Sequence, residues 1–243
     1  AEHPEGATFL GFMAEIDLPL LTGSPLVRDT GYMNGAILID SDGEILGSYG
    51  KRQLVPFAER VPFWEWPPMQ AFFRRYIGLQ AVWLPGKSSQ PIVLPLDAEE
   101  EVAIGTPICF AFSGVVREMV RNGAQVLFNL TNNSWSRSDS AQLQHLAAAR
   151  FRSIEYRIAL ARSTNSGVTT LLDALGREQR SLPMFEAGAL YVSVPLYEAT
   201  GRTIYTVIGP WIPILALLST ALLLIRVRLR PQLPGNTLLP VRQ

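Results

Sequence analysis

Three side chains in this 243-residue sequence have types and settings that could serve nucleophilic chemistry: Cys109, Lys51 and Glu59. Cys109 is the only cysteine, so it forms no disulfide within the chain and is either a packed thiol or a reactive one. It lies where a predicted strand gives way to a predicted helix, a junction that presents a side chain at a sheet edge. Backbone N–H groups near such a helix start favour thiolate over thiol and can later hold an oxyanion. Lys51 opens the Pro- and aromatic-rich segment KRQLVPFAERVPFWEWPP, and Glu59 follows eight residues later. Read alone, a Lys and a Glu in a loop are by default solvated charges. The two histidines are poor partners for the thiol: His3 lies near the start of the chain, and His145 sits in the predicted helix QLQHLAAAR, where a structural or surface role is the default. Two His and one Cys do not make a structural zinc site. No metal and no cofactor is expected.

The elements that must position these residues read as alternating short strands and helices. Gly6 to Ile16 predicts a helix, followed by the apolar run Leu18 to Leu21 and a turn at TGSP. NGAILID and EILGSY flank Ser41-Asp42-Gly43, a hairpin signal. Residues 51–68 lack a clean period and predict a long ordered loop, of the kind that often carries function. A helix from Met69 to Tyr76 follows, then strands at Gln90–Pro95 and Glu101–Ile108, the second ending at the cysteine. VVREMVRNG predicts an amphipathic helix with Gly123 as its C-cap. AQVLFNL reads as a buried strand, TNNSWSRSDS as a loop and Ala141–Tyr156 as a long helix. ALARSTNSG and VTTLLDALGRE predict a strand and a hairpin around Ala174-Leu175-Gly176, and ALYVSVPL a last strand. This order argues for an α/β domain with a mixed sheet.

A formal net charge of zero, with 48% hydrophobic residues and 17% charged, excludes a disordered tail and carries no basic excess for nucleic acid. The zero is unevenly built. Residues 203–243 hold Arg226, Arg228, Arg230 and Arg242 and no acid, leaving 17 basic against 21 acidic side chains in residues 1–202. Thr203 to Ile225 is uncharged over 23 residues, enough to span a hydrocarbon core of roughly 30 Å. RVRLR follows, as at a cytoplasmic end, while Tyr205 and Trp211 lie toward the opposite interface. Pro210 and Pro213 place the effective helix start near Trp211. The expected organisation is a domain over 1–202 outside the cytoplasm, a transmembrane helix over 203–225 and a basic cytoplasmic tail over 226–243.

GKRQLVPFAERVPF resembles the lysine segment of the nitrilase, or carbon-nitrogen hydrolase, superfamily and, within it, of the apolipoprotein N-acyltransferases. PICF before a helix, NLTNNSW, QHLAAARFRSIE, ARSTNSG and the terminal hydrophobic segment follow in that family's order. The resemblance covers roughly Pro19 to Arg230. It implies a four-layer αββα sandwich on the outer side of the bacterial cytoplasmic membrane, with Cys109 as nucleophile, Lys51 as the cation beside the tetrahedral oxyanion and Glu59 as the loop acid that orients the lysine. It further implies an acyl chain taken from a phospholipid as a thioester and passed to the N-terminal amine of a diacylglyceryl-cysteine apolipoprotein, by a monomer that is multi-pass in full length.

The pattern departs from that family at three points. The family's general-base Glu lies upstream of the segment matching PLLTGSP; Glu5 in HPEG is a weak match, so the base, its strand and the earlier membrane helices are expected outside these residues. Phe110 and Ala111 stand where the family has Tyr and Glu, removing a carboxylate near the nucleophile. The N-terminal membrane bundle is absent. Two rival readings stay open: a soluble carbon-nitrogen hydrolase acting on an amide or nitrile, and a membrane-anchored domain that binds without turnover.

Overall fold

The computed structural model describes residues 4–29, 31–61, 63–64, 66–77, 83–97, 99–110, 113–197 and 203–228. Helix α1 (Pro4–Ile16) leads into a three-stranded antiparallel sheet of β1 (Leu20–Arg28), β2 (Gly31–Ile39) and β3 (Ile45–Gly50). Helix α2 (Pro67–Tyr76) follows. A six-stranded sheet then runs in the order β4 (Ile92–Pro95), β5 (Glu101–Gly105), β6 (Val126–Thr131), β7 (Leu160–Thr164), β8 (Thr169–Leu172) and β9 (Glu178–Leu182). β5, β6 and β7 are parallel and the flanking strands antiparallel. Helices α3 (Ser113–Arg121) and α4 (Asp139–Tyr156) are the crossovers that parallel neighbours require. This is the expected mixed sheet.

Side-chain alternation builds the layers. Val126, Val102, Ile104 and Ala159 share one face of the large sheet and meet Leu21 of β1. Their neighbours Leu127, Leu160 and Leu172 point the other way and bury against Val116 and Met119 of α3 and Ala149 and Tyr156 of α4. Strands covered on both faces favour apolar sequence, and β6 opens with Val126, Leu127 and Phe128 before the buried polar Asn129.

Two expectations are corrected. TGSP is no turn: β1 runs straight through it, with Thr22 opposite Ile37 and Pro25 opposite Asn34. β1 is an edge strand, where a proline's missing N–H costs no ladder bond. ALYVSVPL is not a strand. Its residues up to Tyr197 are extended but unladdered, and Val194 and Tyr197 instead pack on the apolar face around Val126.

The chain divides into two compact units, 1–207 and 208–243. In the first, residues 203–207 are strapped to the helices. Ser113 Oγ lies within hydrogen-bond distance of Glu155 Oε2 (3.0 Å), Tyr156 Oη (2.7 Å) and Tyr205 Oη (3.1 Å). Arg117 Nε donates to the Thr206 carbonyl at 2.8 Å. Helix α5 (Ile204–Ile208) ends at Gly209, whose φ of +68° suits glycine and stops the helix before Pro210. Helix α6 (Trp211–Arg228) starts at the expected residue, and its 18 residues rise about 27 Å. It is long and apolar enough to cross a membrane, and none of its side chains is buried.

Burial holds the Glu155 carboxyl above its usual range, against the opposing pull of Arg152 and the Ser113 hydroxyl. A carboxyl whose folded pKa is raised stabilises the fold below its unfolded pKa and loses that contribution as pH rises through the folded value. Glu155→Gln is therefore expected to melt at a higher temperature than the wild type at pH 7.5, the gap closing toward pH 4. Thermal melts with a constant gap would contradict this.

Candidate active site

The carboxyl ends of the three parallel strands converge, and in sheets of this kind ligands bind at that edge. Three residues beyond the end of β5, Ile108 forms an isolated bridge with Leu130 of β6, and Cys109 N–H donates to the Leu130 carbonyl at 3.0 Å. Cys109 itself has φ +61°. A left-handed conformation costs a non-glycine residue about 1–2 kcal/mol, so the surroundings must hold it. Asn129 does so: its Nδ2 donates to the carbonyls of Pro107 (2.7 Å) and Cys109 (3.2 Å). The thiol thus stands on a strained turn between a strand end and α3, the junction expected from the sequence. Its residue is partly buried.

Lys51 leaves the end of β3 and is 2% exposed. Its N–H donates to the Asn34 carbonyl (2.7 Å) and its carbonyl accepts from Gly86 N–H (2.8 Å). Only glycine fits at 86, because a Cβ there would lie 2.0 Å from the Gly50 carbonyl oxygen. The loop after Lys51 turns back on itself, with Glu59 N–H donating to the Val55 carbonyl at 2.9 Å and Phe57 at φ +64°. That turn delivers Glu59 to the lysine: Lys51 Nζ donates to Oε1 at 2.8 Å and Oε2 at 2.7 Å. Asn34 Nδ2 donates to Oε1 (3.1 Å) and Val55 N–H to Oε2 (2.8 Å).

Proton accounting separates the two roles. A carboxylate offers about four acceptor positions, and Glu59 accepts four hydrogen bonds from three groups. It is a clamp, with no lone pair left to act as a base. An ammonium has three donors; Lys51 spends two on Glu59, and among the described residues the third is uncommitted. A buried cation with one donor in hand is suited to an oxyanion.

His145 is where the two halves meet. It is 6% exposed, with its ring edge-on to Phe110 at 4.6 Å and tilted to Trp135 at 5.8 Å. Burial, then the charges of Arg162 and Lys51, hold its imidazole below the usual histidine pKa. It lies on α4's inward face with Gln142, Leu146 and Ala149, at a helical spacing readable in the sequence. Sequence reasoning passed over Asn34, Asn129 and Arg162. Their segments belong to strands, and strand pairing alone puts Asn129 beside Arg162.

Glu5 falls in the first turn of α1 rather than at a strand end, so it lacks the setting of the family's base. His3, Ala111, Arg230 and Arg242 lie outside the described residues. Among the described residues no group of His, Cys, Asp and Glu could hold a metal.

The sequence profile of the carbon-nitrogen hydrolase family matches residues 9–204. Apolipoprotein N-acyltransferase 2 of Treponema denticola is 38% identical over 217 residues, covering 88% of this chain and 41% of that protein. Its namesake from Treponema pallidum is 35% identical over 222 residues, with 88% and 40% covered. The apolipoprotein N-acyltransferase of Borreliella burgdorferi is 32% identical over 203 residues, with 82% and 38% covered. The chain thus spans about two fifths of the length of these relatives. Among solved structures, a carbon-nitrogen hydrolase from Helicobacter pylori superposes with a TM-score of 0.56 at 18% identity over 75% of this chain and 64% of that one. An amidase from Nesterenkonia sp. gives 0.53 at 20%, with 74% and 62% covered. Both share the fold.

The clamp predicts an asymmetric double-mutant cycle. Glu59→Gln leaves the Lys51 ammonium buried without its counter-charge and is expected to lower the unfolding free energy by about 3 kcal/mol, whereas adding Lys51→Met recovers most of it. Denaturant unfolding in detergent measures both. A Glu59→Gln chain of wild-type stability would mean that the ammonium is not confined as described.

Proposed function

This chain belongs to the carbon-nitrogen hydrolase family, and from that premise we propose that it transfers a fatty acyl chain from a phospholipid, through a thioester on Cys109, to the N-terminal amine of a diacylglyceryl-cysteine apolipoprotein. The observation that carries the proposal is the clamped Lys51, with two donors on Glu59 and one left for a substrate oxygen. The names of the similar proteins from Treponema and Borreliella support the same reading.

The chemistry runs in two displacements. Cys109 Sγ attacks the carbonyl carbon of a phospholipid ester, giving a tetrahedral oxyanion; its collapse forms the thioester and expels the lysophospholipid alkoxide, which takes a proton. The acceptor amine then attacks the thioester carbonyl, and a second oxyanion collapses to the amide as the sulfur leaves and the nitrogen gives up a proton. Lys51 stabilises both oxyanions without reorganising, because Glu59 and Asn34 already fix the clamp. Glu59 orients the lysine. The base that takes the thiol proton is a separate group.

A lipid substrate fits the surface around these residues. Phe57 and Phe63 on the loop carrying Glu59, and Phe110 and Trp135 on the nucleophile side, are all exposed. Exposed apolar groups gathered round a site mark a surface that meets apolar matter. Helix α6, with Arg226 and Arg228 in its last turn, supports anchoring in the cytoplasmic membrane with the catalytic domain on the outer side. With an amide or nitrile in place of the phospholipid ester and water in place of the amine, the same thioester chemistry would be an amide or nitrile hydrolysis; the exposed aromatic side chains and α6 favour the lipid substrates.

Incubated with phospholipid vesicles in detergent, the full-length protein is expected to gain one acyl mass on Cys109, labile to hydroxylamine. Lys51→Ala is expected to abolish the adduct while leaving the protein folded. Intact-mass spectra with no adduct, or an adduct that survives Cys109→Ala, would overturn the assignment; undiminished acylation of Lys51→Ala would remove Lys51 from the mechanism.

A further inference from the structure

Arg162 is a buried cation that the chemistry above does not use. It is 2% exposed and stands directly across from Asn129 in the β6–β7 pairing. Its Nη1 donates to Asn129 Oδ1, while Nε and Nη2 are buried with no hydrogen-bond partner among the described residues. Sequestering a guanidinium on one neutral acceptor is costly, of the order of several kcal/mol. An apolar side chain would fill the site without that cost. Among the described residues Arg162 has no carboxylate partner; burial pushes its pKa down to about 10, and Cys109 is the group that pulls it back up.

What the cation holds is the nucleophile's turn. Asn129 is fully buried, and its amide has a donor end and an acceptor end in separate use. Nδ2 brackets the turn through the carbonyls of Pro107 and Cys109, while Oδ1 takes Arg162 Nη1 and the Thr131 hydroxyl (3.2 Å). Turning the amide over would set its NH2 against the guanidinium and its oxygen against two carbonyls. Arg162 therefore fixes which way Asn129 faces, and Asn129 fixes the left-handed turn at Cys109. We propose that Arg162 is a positioning residue for Cys109, locking through Asn129 the strained turn that presents the thiol and placing a buried positive charge behind it. The proposal rests on Cys109 being the nucleophile.

The test follows alkylation of Cys109 by iodoacetamide, read by intact mass on the full chain in detergent, with circular dichroism and melting as controls for folding. Arg162→Met and Asn129→Ser are each expected to slow alkylation about tenfold, the loss of one buried charge-assisted hydrogen bond. Arg162→Lys, which keeps the charge, should recover part of that rate. The double variant should be no slower than Asn129→Ser alone, because both act along one path. A packing role would leave the rate unchanged in a folded variant and would not be rescued by lysine. Should Arg162→Met fail to fold, Asn129→Ser and Arg162→Lys decide the matter: wild-type alkylation in a folded Asn129→Ser chain overturns the proposal. Acyl transfer from phospholipid is a separate readout. Its failure in the wild type, with the alkylation pattern intact, would sink the acyltransferase reading and leave the positioning role standing.

Discussion

A buried ammonium is tolerable only where its charge is met and its protons are placed, and Lys51 imposes that condition on everything around it. Glu59 supplies the charge, and because a carboxylate must itself be satisfied, Asn34 and the Val55 N–H are drawn in. Bringing Glu59 back requires the tight reversal at residues 55–60, with Phe57 in the left-handed region. Holding the lysine's own backbone requires the residue 86 strand of chain to approach Gly50 so closely that no side chain fits. The reversal at residues 55–60 thus serves one ion pair.

The half of the site around Cys109 answers a different constraint. Parallel strands end on the same side of a sheet, so β5, β6 and β7 deliver Cys109, the Asn132–Asn133 loop and the Asn165 loop to one edge. Asn165 Oδ1 accepts from Asn133 N–H at 2.9 Å and its Nδ2 donates to Asn132 Oδ1 at 2.7 Å, tying the last two together. The strain at Cys109 is carried by Asn129 from below and by the β6 ladder from the side. Neither half is local in sequence. Between them His145 packs on Phe110, its imidazole held below the usual histidine pKa by burial and then by the charges of Arg162 and Lys51.

The elements with a clear period were legible in the sequence: α3, α4, the β2–β3 hairpin at Asp42-Gly43, the parallel core strands and the helix start at Trp211. TGSP misled because turn chemistry was weighed without knowing that its strand is an edge, where proline and glycine are cheap. ALYVSVPL misled because alternation reports a half-buried extended chain, and burial came here from packing of Val194 and Tyr197 rather than from a ladder. The three chemical residues could be picked out by type and motif order. Their helpers could not, because Asn34, Asn129 and Arg162 act through register and burial, which only the folded sheet reveals. His145 lay between these cases, on a helix face whose orientation was readable but whose neighbours were not.

The account stands on Lys51 facing the carbonyl that Cys109 acquires. A structure of the chain trapped as a Cys109 acyl adduct tests it most directly. The carbonyl oxygen is predicted within about 3 Å of Lys51 Nζ, which keeps both bonds to Glu59. An adduct whose oxygen is turned away from Nζ, with the Lys51–Glu59 clamp unchanged, would contradict it.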